Sequence, residues 1–215
     1  MKLLVEMTDQ VNILTESAEN GKQYFLEGIF LQAGIKNRNG RIYPVEILEK
    51  EVERYQKNFI EKRKAWGELN HPANPSINLD RVSHMIVEVK RDGNNFIGKA
   101  QIVDTPMGKI VKSLMDVNGT LGVSSRGVGS LKESKGVKVV QNDFQLTTLA
   151  DIVSDPSAPD AFPENLIENT DWFFDGIDWR KQEKINDIIS EHKKLSKKDR
   201  EEKFLKLFSK ILKKL

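Results

Sequence analysis

Two short segments of this 215-residue chain carry side chains that could act together in nucleophilic catalysis. The first, GELNHP, sets His71 directly before a proline, which disfavours helix and predicts a strand end or a loop. The second, GVSSRGVGS, surrounds Ser124 and Ser125 with glycines that permit tight backbone geometry and close approach of a substrate. A serine hydroxyl is a poor nucleophile unless a base such as histidine lies within hydrogen-bond reach. This chemistry therefore requires a fold that brings the two distant segments together.

Each segment also has a plainer interpretation. A lone histidine in a loop is more often a surface or helix-capping residue, and the serine segment could be a polar turn between strands. The pattern matches the nucleophile motif G-x-S-x-G imperfectly, because Arg126 stands where the second glycine should be. The order of His71 before Ser124 also differs from the Ser–Asp–His order of that fold. Spacing alone leaves these alternatives open.

An acid and a pair of backbone amides could complete such a site. Asp151 ends the apolar segment FQLTTLAD, where a carboxylate could orient an imidazole and stabilise its cation. The alternative is an acid at the solvent end of a strand, and the rival acid, Asp143, lies in a turn-like QND. Backbone amides near Arg126 and Gly127 are candidate oxyanion donors. The Arg126 side chain either adds charge there or forms an ordinary ion pair.

A metal site is the weaker alternative for the histidines. Asp80 and His84 are four residues apart, and His71 could join them. The chain has no cysteine, which excludes disulfides, thiolate ligands and cysteine nucleophiles, and it has no HExxH motif. We therefore expect neither a metal nor another cofactor.

Hydrophobic patterns predict the elements that would position these residues. In chain order they are a buried strand over 23–35, a helix over 45–59 behind Pro44, a hairpin turning at Asp92-Gly93, a helix over 105–117 capped by Thr105, and a long strand over 136–154. Together they predict an α+β fold, a mainly antiparallel β-sheet or barrel flanked by helices, with a C-terminal helical appendage.

The same patterns divide the chain into four parts. We expect a flexible N-terminal arm over 1–20, the main domain over 21–163, a linker over 164–178 and a basic amphipathic helical tail over 179–215. Residues 181–215 carry eleven Lys and one Arg against six acids, a net charge of +6, whereas the rest carries −4. The tail is therefore either a solvated helix pair or a segment that binds an acidic partner.

Several classes of partner and compartment are disfavoured by the sequence. The chain has no apolar run long enough to cross a bilayer and no secretory signal, so we expect no membrane association. Its basic tail lacks interleaved aromatic residues and contains six acids, which argues against nucleic-acid binding. These features fit a cytoplasmic protein.

Four motifs carry a resemblance to a known family. NRNGRIYP, GELNHP, GVSSRG followed by GS, and PSAPDA occur in this order. Together they resemble the prohead core-protein proteases of T-even-type tailed phages, a family related in fold to other phage prohead proteases and to herpesvirus assemblin. The resemblance spans about residues 24–161, and the N-terminal arm and the tail match only loosely. It implies a herpesvirus-protease-like fold.

The resemblance implies a serine endopeptidase that acts inside the prohead, in the host cytoplasm. It would cleave scaffold or core proteins, the major capsid protein and itself during head maturation. The family's histidine falls on His71 as general base, and its nucleophile on Ser124, with Ser125 as the fallback. Asp151 is the predicted third member. Assemblin relatives use a second histidine after the serine, but the later histidine that this chain offers is His192, in the tail.

The resemblance also implies cleavage after a glutamate that has an aliphatic residue two positions before it. Such triplets occur here in segments expected to be flexible, at Leu14–Glu16, Leu166–Glu168 and Ile189–Glu191, and we expect some to be autocleavage sites. The tail would be a tether to the scaffold or an inhibitory segment, and homo-oligomerisation stays open. The alternative function is a catalytically inactive internal component that binds scaffold or capsid.

Overall fold

The computed structural model describes residues 1–8, 11–18, 21–70, 72–134, 136–154, 171–174, 176 and 178–182. The chain divides into two compact units, residues 1–180 and residues 181–215, and only Lys181 and Gln182 of the second are described. His71 and the predicted helices of the tail lie outside the described residues.

Within these ranges the chain is mostly strand, with two α-helices. The strands are β1 (Lys2–Thr8), β2 (Val11–Ala18), β3 (Gly21–Gln32), β4 (Arg41–Ile42), β5 (Trp66–Glu68), β6 (Val82–Asp92), β7 (Asn95–Ile102), β8 (Gly122–Gly129), β9 (Leu131–Ser134), β10 (Val137–Val140), β11 (Gln145–Val153), β12 (Asp171–Phe174) and β13 (Trp179–Gln182). The helices are α1 (Val45–Tyr55), which continues as a π-helical turn over Gln56–Ile60, and α2 (Pro106–Asp116); a short 3-10 helix spans Leu79–Arg81.

The strands form three sheets. One has the order β2-β3-β7-β6-β5, and a second has the order β11-β8-β1-β12-β13. In the third, β4-β10-β9, the strands β4 and β10 pair in parallel, whereas β10 and β9 are antiparallel. The prediction of an α+β fold built mainly on antiparallel sheets is confirmed.

The two five-stranded sheets meet beside the end of β5. Leu69, which follows β5, forms a parallel bridge with Ile152 of β11. A shared apolar core that includes Phe30, Ile86 and Leu149 lies between elements of both sheets. All eight residues of β8 are buried, so its side chains face protein on both sides of the sheet.

Local signals in the sequence located the helices and the hairpin correctly. Thr105 Oγ1 accepts a hydrogen bond of 3.0 Å from the Gly108 amide, and Pro106 is the first residue of α2. The β6–β7 hairpin turns at Gly93, whose φ of 58° lies in the left-handed region that glycine tolerates. None of the helices in the described part of the chain is long and apolar enough to span a membrane.

The prediction of a flexible arm over residues 1–20 is wrong. β1 lies inside the second sheet between β8 and β12, and Leu3 and Leu4 are each 1% exposed. β2 forms the edge of the first sheet and pairs with β3 along its length. The polar composition of this segment hid two strands. The strand β1 pairs with β8, which is distant in sequence, and most side chains of β2 are exposed.

Two boundaries also differ from the prediction. The expected linker, 164–178, contains β12, where Asp171 pairs with Lys2 and Trp172 is buried, and the expected tail helix begins as strand β13. The expected long strand over 136–154 is two strands, because the chain turns between Val140 and Gln145.

Candidate active site

The two candidate serines lie next to each other on β8 and point to opposite faces of the sheet. Ser124 is directly opposite Asp151 of β11, and Ser125 is directly opposite Glu6 of β1. Residues opposite each other in an antiparallel pair project to the same face, so Ser124 and Asp151 share a face. Both serines are buried, with Ser124 at 0% and Ser125 at 3% exposure.

The Ser124 side chain carries one of several buried polar atoms that make no hydrogen bond in the described part of the chain. Its Oγ has no hydrogen-bond partner among the described residues. A buried hydroxyl left unpaired costs about 1–3 kcal/mol, so such groups are few in native proteins and each needs an explanation.

A buried charge cluster lies beside Ser124 on the same face. Arg126 Nε lies 3.0 Å from Asp151 Oδ2, and one terminal nitrogen of Arg126 lies 3.2 Å from Glu68 Oε1. All three side chains are fully buried. The Glu68 amide also donates to Asp151 Oδ1 at 2.9 Å, which ties the end of β5 to β11.

The described residues on either side of His71 are held against this cluster. The Asn70 amide donates to the Ile152 carbonyl at 2.8 Å, and Ile152 is next to Asp151. Arg126 donates to the carbonyl of Asn74 at 2.5 Å and to that of Ser76 at 3.3 Å. The described residues flanking position 71 are therefore bound to the backbone of β11 on one side and to Arg126, two residues from Ser124, on the other.

Burial shifts the pKa of the acid in this cluster. Desolvation raises the pKa of Asp151 to about 6, and the charge of Arg126 opposes this shift without cancelling it. The Asp151 carboxylate is thus mostly ionised at neutral pH, and its partners are the Arg126 cation and the Glu68 amide.

Comparison with known proteins identifies the family. The sequence profile of the prohead core protein serine protease family matches residues 4–171. The chain is 37% identical over 150 residues to the prohead core protein protease of Enterobacteria phage T4, covering 67% of this chain and 71% of the relative. The structure of the bacteriophage T4 capsid assembly protease is similar, with a TM-score of 0.68 and 33% identity over 72% of this chain and 98% of that chain.

The chain belongs to the prohead core protein serine protease family. It is a phage protease of the prohead and capsid assembly, and the family name gives serine as its catalytic class. The resemblance drawn from the four motifs is confirmed.

The protease brings Ser124, Arg126 and Asp151 together on one face, whereas His71 lies outside the described residues. The role predicted for each residue is untested and stays a prediction. The contacts of Arg126 match its alternative interpretation, an ion pair, because its guanidinium is occupied by carboxylates and carbonyls.

The predicted oxyanion donors lie in the middle of the sheet. Arg126 and Gly127 pair with β1 on one side and with β11 on the other, and ladder amides of a strand paired on both sides point at its neighbours. Gly127 also has a packing role, since a Cβ there would come within 2.7 Å of the Phe144 ring and the Gln145 carbonyl. These contacts favour structural roles for both residues.

Two charged residues of the site were missed by sequence reasoning. Glu68 is fully buried, accepts a hydrogen bond of 2.7 Å from the Asn78 amide and faces Arg81 at 3.5 Å. Arg81 donates to the carbonyls of Leu69 and Asn70 at 2.6 and 2.8 Å. The motif GELNHP offered no signal that separates Glu68 from a surface glutamate, because its burial depends on contacts with other segments.

The two groups weighed as alternatives have structural partners. His84 is fully buried, and its Nε2 lies 2.9 Å from the Ala150 carbonyl, so Nε2 carries the proton and Nδ1 accepts from the Ser83 hydroxyl. Burial lowers the pKa of His84 to about 4. Asp143 lies in the turn before β11 and accepts from the Ser130 amide at 2.9 Å. Among the described residues no three potential ligands form a metal cluster.

Proposed function

We propose that this protease is a serine endopeptidase in which Ser124 is the nucleophile and His71 the general base. Asp151 is the acid that orients the imidazole and stabilises its cation. The observation that carries the proposal is the buried Ser124 hydroxyl, which lacks a partner among the described residues beside a loop that contains the histidine. An imidazole is the partner that would both satisfy the hydroxyl and activate it.

In the proposed reaction, His71 removes the proton of Ser124 as Oγ attacks the carbonyl carbon of the scissile peptide bond. The tetrahedral intermediate collapses when the imidazolium gives that proton to the leaving amine, which leaves an acyl-enzyme. Water then attacks the acyl-enzyme with His71 again as base, and Ser124 regains its proton.

The test is cleavage of a glutamate-containing peptide from a phage scaffold protein. We expect the wild-type protease to cleave it, Ser124→Ala to be inactive, and Ser125→Ala to keep most of the activity. The last variant is the matched control, because both serines are buried on the same strand. Activity lost in Ser125→Ala and kept in Ser124→Ala would move the nucleophile to the fallback. A wild-type protein that cleaves nothing would support the inactive scaffold- or capsid-binding alternative.

We further propose that the substrates are scaffold or core proteins, the major capsid protein and the protease itself, in the prohead interior within the host cytoplasm. Cleavage occurs after the glutamate of (Leu/Ile)-x-Glu triplets. Names of the relatives support this setting, since they are a prohead core protein protease and a capsid assembly protease. The basic tail would tether the protease to the scaffold or inhibit it before activation.

The triplets of this chain differ in how they are presented. Leu14–Glu16 lies in β2, where Glu16 pairs with Gln23 of β3 and its carboxylate lies 2.6 Å from Lys99 Nζ. The expectation that this triplet is flexible is wrong. The triplets ending at Glu168 and Glu191 lie outside the described residues. Because pairing with β3 protects Leu14–Glu16, we expect mass spectrometry of active protease to show termini after Glu168 or Glu191, in segments that the sequence predicts to be flexible, well before any terminus after Glu16. The absence of all such termini would contradict autocleavage.

A further inference from the structure

We propose that Arg126 and Glu68 are positioning residues that hold the 69–78 loop, which contains His71, against the strand that carries Ser124. The inference rests on the proposed roles of Ser124 and His71. It assigns to the buried charge cluster a function in catalysis rather than in fold stability alone.

Arg126 joins three separate segments of the chain. Its guanidinium faces Asp151 on β11, Glu68 at the end of β5, and the carbonyls of Asn74 and Ser76 in the 69–78 loop. Asn74 is exposed, whereas Arg126 is fully buried, so the loop lies at the surface with two of its carbonyls turned inward onto the cation.

Glu68 and Arg81 fix the two ends of the same loop. Glu68 Oε1 accepts from the Asn78 amide at 2.7 Å, so the last residue of β5 binds the last residue of the loop. Arg81 donates to the carbonyls of Leu69 and Asn70 at the start of the loop. The described part of the loop is therefore bound at its beginning, middle and end.

The choice of charged groups is informative because such clusters are a costly way to gain stability. A buried ion pair is often replaceable by apolar side chains with little loss of stability. An apolar side chain, however, cannot donate to the inward-turned carbonyls of the loop. Arginine presents five donors in a rigid fork, which suits two carboxylates and two carbonyls at once, whereas lysine has three donors on a flexible stem. A positioning role explains why this position carries an arginine.

Arg126→Lys tests the proposal because it keeps the charge and removes the fork. The matched control is Arg54→Lys, since Arg54 also binds a carboxylate, Glu51, and a carbonyl, that of Leu146, away from the loop. A misplacement of about 1 Å in a catalytic group can slow the reaction about 100-fold. We expect Arg126→Lys to lower kcat by about that factor per folded enzyme while KM changes less than twofold, and Arg54→Lys to keep the wild-type kcat.

A second readout does not depend on turnover. Hydrogen exchange is measured in the Ser124→Ala background, where the chain cannot cleave itself. We expect Arg126→Lys and Glu68→Gln to speed exchange of the Asn70 and Asn78 amides, whereas amides in β3 and β7 keep their rates. Glu68→Gln retains an acceptor for the Asn78 amide, so its effect should be the smaller. If Arg126→Lys does not fold, Glu68→Gln carries the test alone.

The outcomes separate this inference from the proposed function. Wild-type kcat and loop exchange in Arg126→Lys and Glu68→Gln, with Ser124→Ala inactive, would overturn the positioning role and leave the proposed function standing. Full activity in Ser124→Ala would overturn the proposed function itself. Faster exchange across the whole protein in the variants, without a local excess in the loop, would assign the cluster to fold stability and overturn the inference.

Discussion

Two arginine–carboxylate clusters lie on opposite faces of the β1–β8 strand pair, one beside each candidate serine. On the Ser124 face, Arg126 lies between Asp151 and Glu68. On the Ser125 face, Arg41 lies 2.5 Å from Glu6, which is the residue opposite Ser125. Each cluster joins another segment to the strand pair through an arginine that also donates to a backbone carbonyl.

The two clusters differ in which groups donate hydrogen bonds to their carboxylates. Glu6 accepts hydrogen bonds from the Arg41 guanidinium, from the Tyr43 hydroxyl at 2.8 Å and from the side-chain amide of Asn39 at 2.8 Å. These donors are side chains of one short segment that contains β4, so Glu6 ties that segment to β1. On the other face the cluster binds backbone of the 69–78 loop, and the Ser124 hydroxyl beside it lacks a partner in the described part of the chain. The same kind of ion pair therefore joins a neighbouring segment to β1 on one face and lies beside the candidate active site on the other.

Removing each arginine is the strongest way to test this difference. We expect Arg126→Met to lower the free energy of unfolding by about 3–5 kcal/mol, because it removes the cation from the fully buried Asp151 and leaves the buried Glu68 with the more distant Arg81, at 3.5 Å. Arg41→Met should cost less, since Glu6 is 14% exposed and keeps Tyr43 and Asn39 as donors. Urea denaturation of both variants in the Ser124→Ala background measures the two losses. An equal or larger loss in Arg41→Met would show that the clusters do not differ in this way.

How far the sequence predicts these regions depends on how local the deciding contacts are. The α2 cap at Thr105 and the hairpin at Gly93 are settled by neighbouring residues, and both were predicted. β1 was missed because its burial depends on β8, whose Gly129 pairs with Lys2 from far along the chain. Ser124 and Asp151 could be chosen by residue type and motif, but their pairing in one rung of the ladder follows from the register.

Glu68 shows the same limit inside the site. Its three partners come from two segments: Asn78 and Arg81 lie at the 3-10 helix, and Arg126 lies on β8. No pattern within GELNHP distinguishes it from an ordinary surface glutamate, because its burial is created by the meeting of β5 and β11. A buried acid of this kind becomes recognisable only when the sheet order is known.

The pH dependence of stability tests the charge cluster with a smaller effect. Burial raises the pKa of Asp151 to about 6 and lowers the pKa of His84 to about 4. Between about pH 4 and 6, Asp151 is therefore protonated to a larger extent in the native state than in the unfolded state. The contribution of Asp151 to stability consequently falls as pH rises through this range. His84 stays neutral in the native state while the unfolded state binds a proton below about pH 6.5, so its contribution falls as pH drops.

Converted to free energy, each pKa shift changes the stability by about 3 kcal/mol over the pH range between the native and unfolded pKa values. Because the two changes have opposite signs, the pH dependence of stability nearly cancels in the wild type. We expect the destabilisation in Asp151→Asn to grow by about that amount as pH falls from 6 to 4, and the destabilisation in His84→Gln to shrink by a similar amount. Urea denaturation at pH 4, 5, 6 and 7 measures both. Destabilisations that are constant across this range would contradict the assigned protonation states.

The smallest expected effect is on the proposed cut after Glu16, which requires the edge strand β2 to open. Lys99 lies 2.6 Å from Glu16 Oε1, and both side chains are partly exposed, so the pair is worth only ~0.2–1 kcal/mol. Cleavage of a transiently opened strand follows the population of the open form. We therefore expect Lys99→Ala to speed cut formation after Glu16 by at most about fivefold, without changing the rates after Glu168 and Glu191.

The substrate for this measurement is the Ser124→Ala chain, digested by a trace of wild-type protease and followed by mass spectrometry. Lys22→Ala is the control, because Lys22 lies on the neighbouring strand β3 but pairs with Asp116, 3.6 Å away, rather than with Glu16. A faster cut after Glu16 in both variants would attribute the protection to general strand stability. A paired strand cannot enter a protease site as an extended peptide, so pairing of β2 with β3 should protect the bond after Glu16. If the chain with Lys99 and Lys22 intact were cut after Glu16 as fast as after Glu191, this pairing would give no protection.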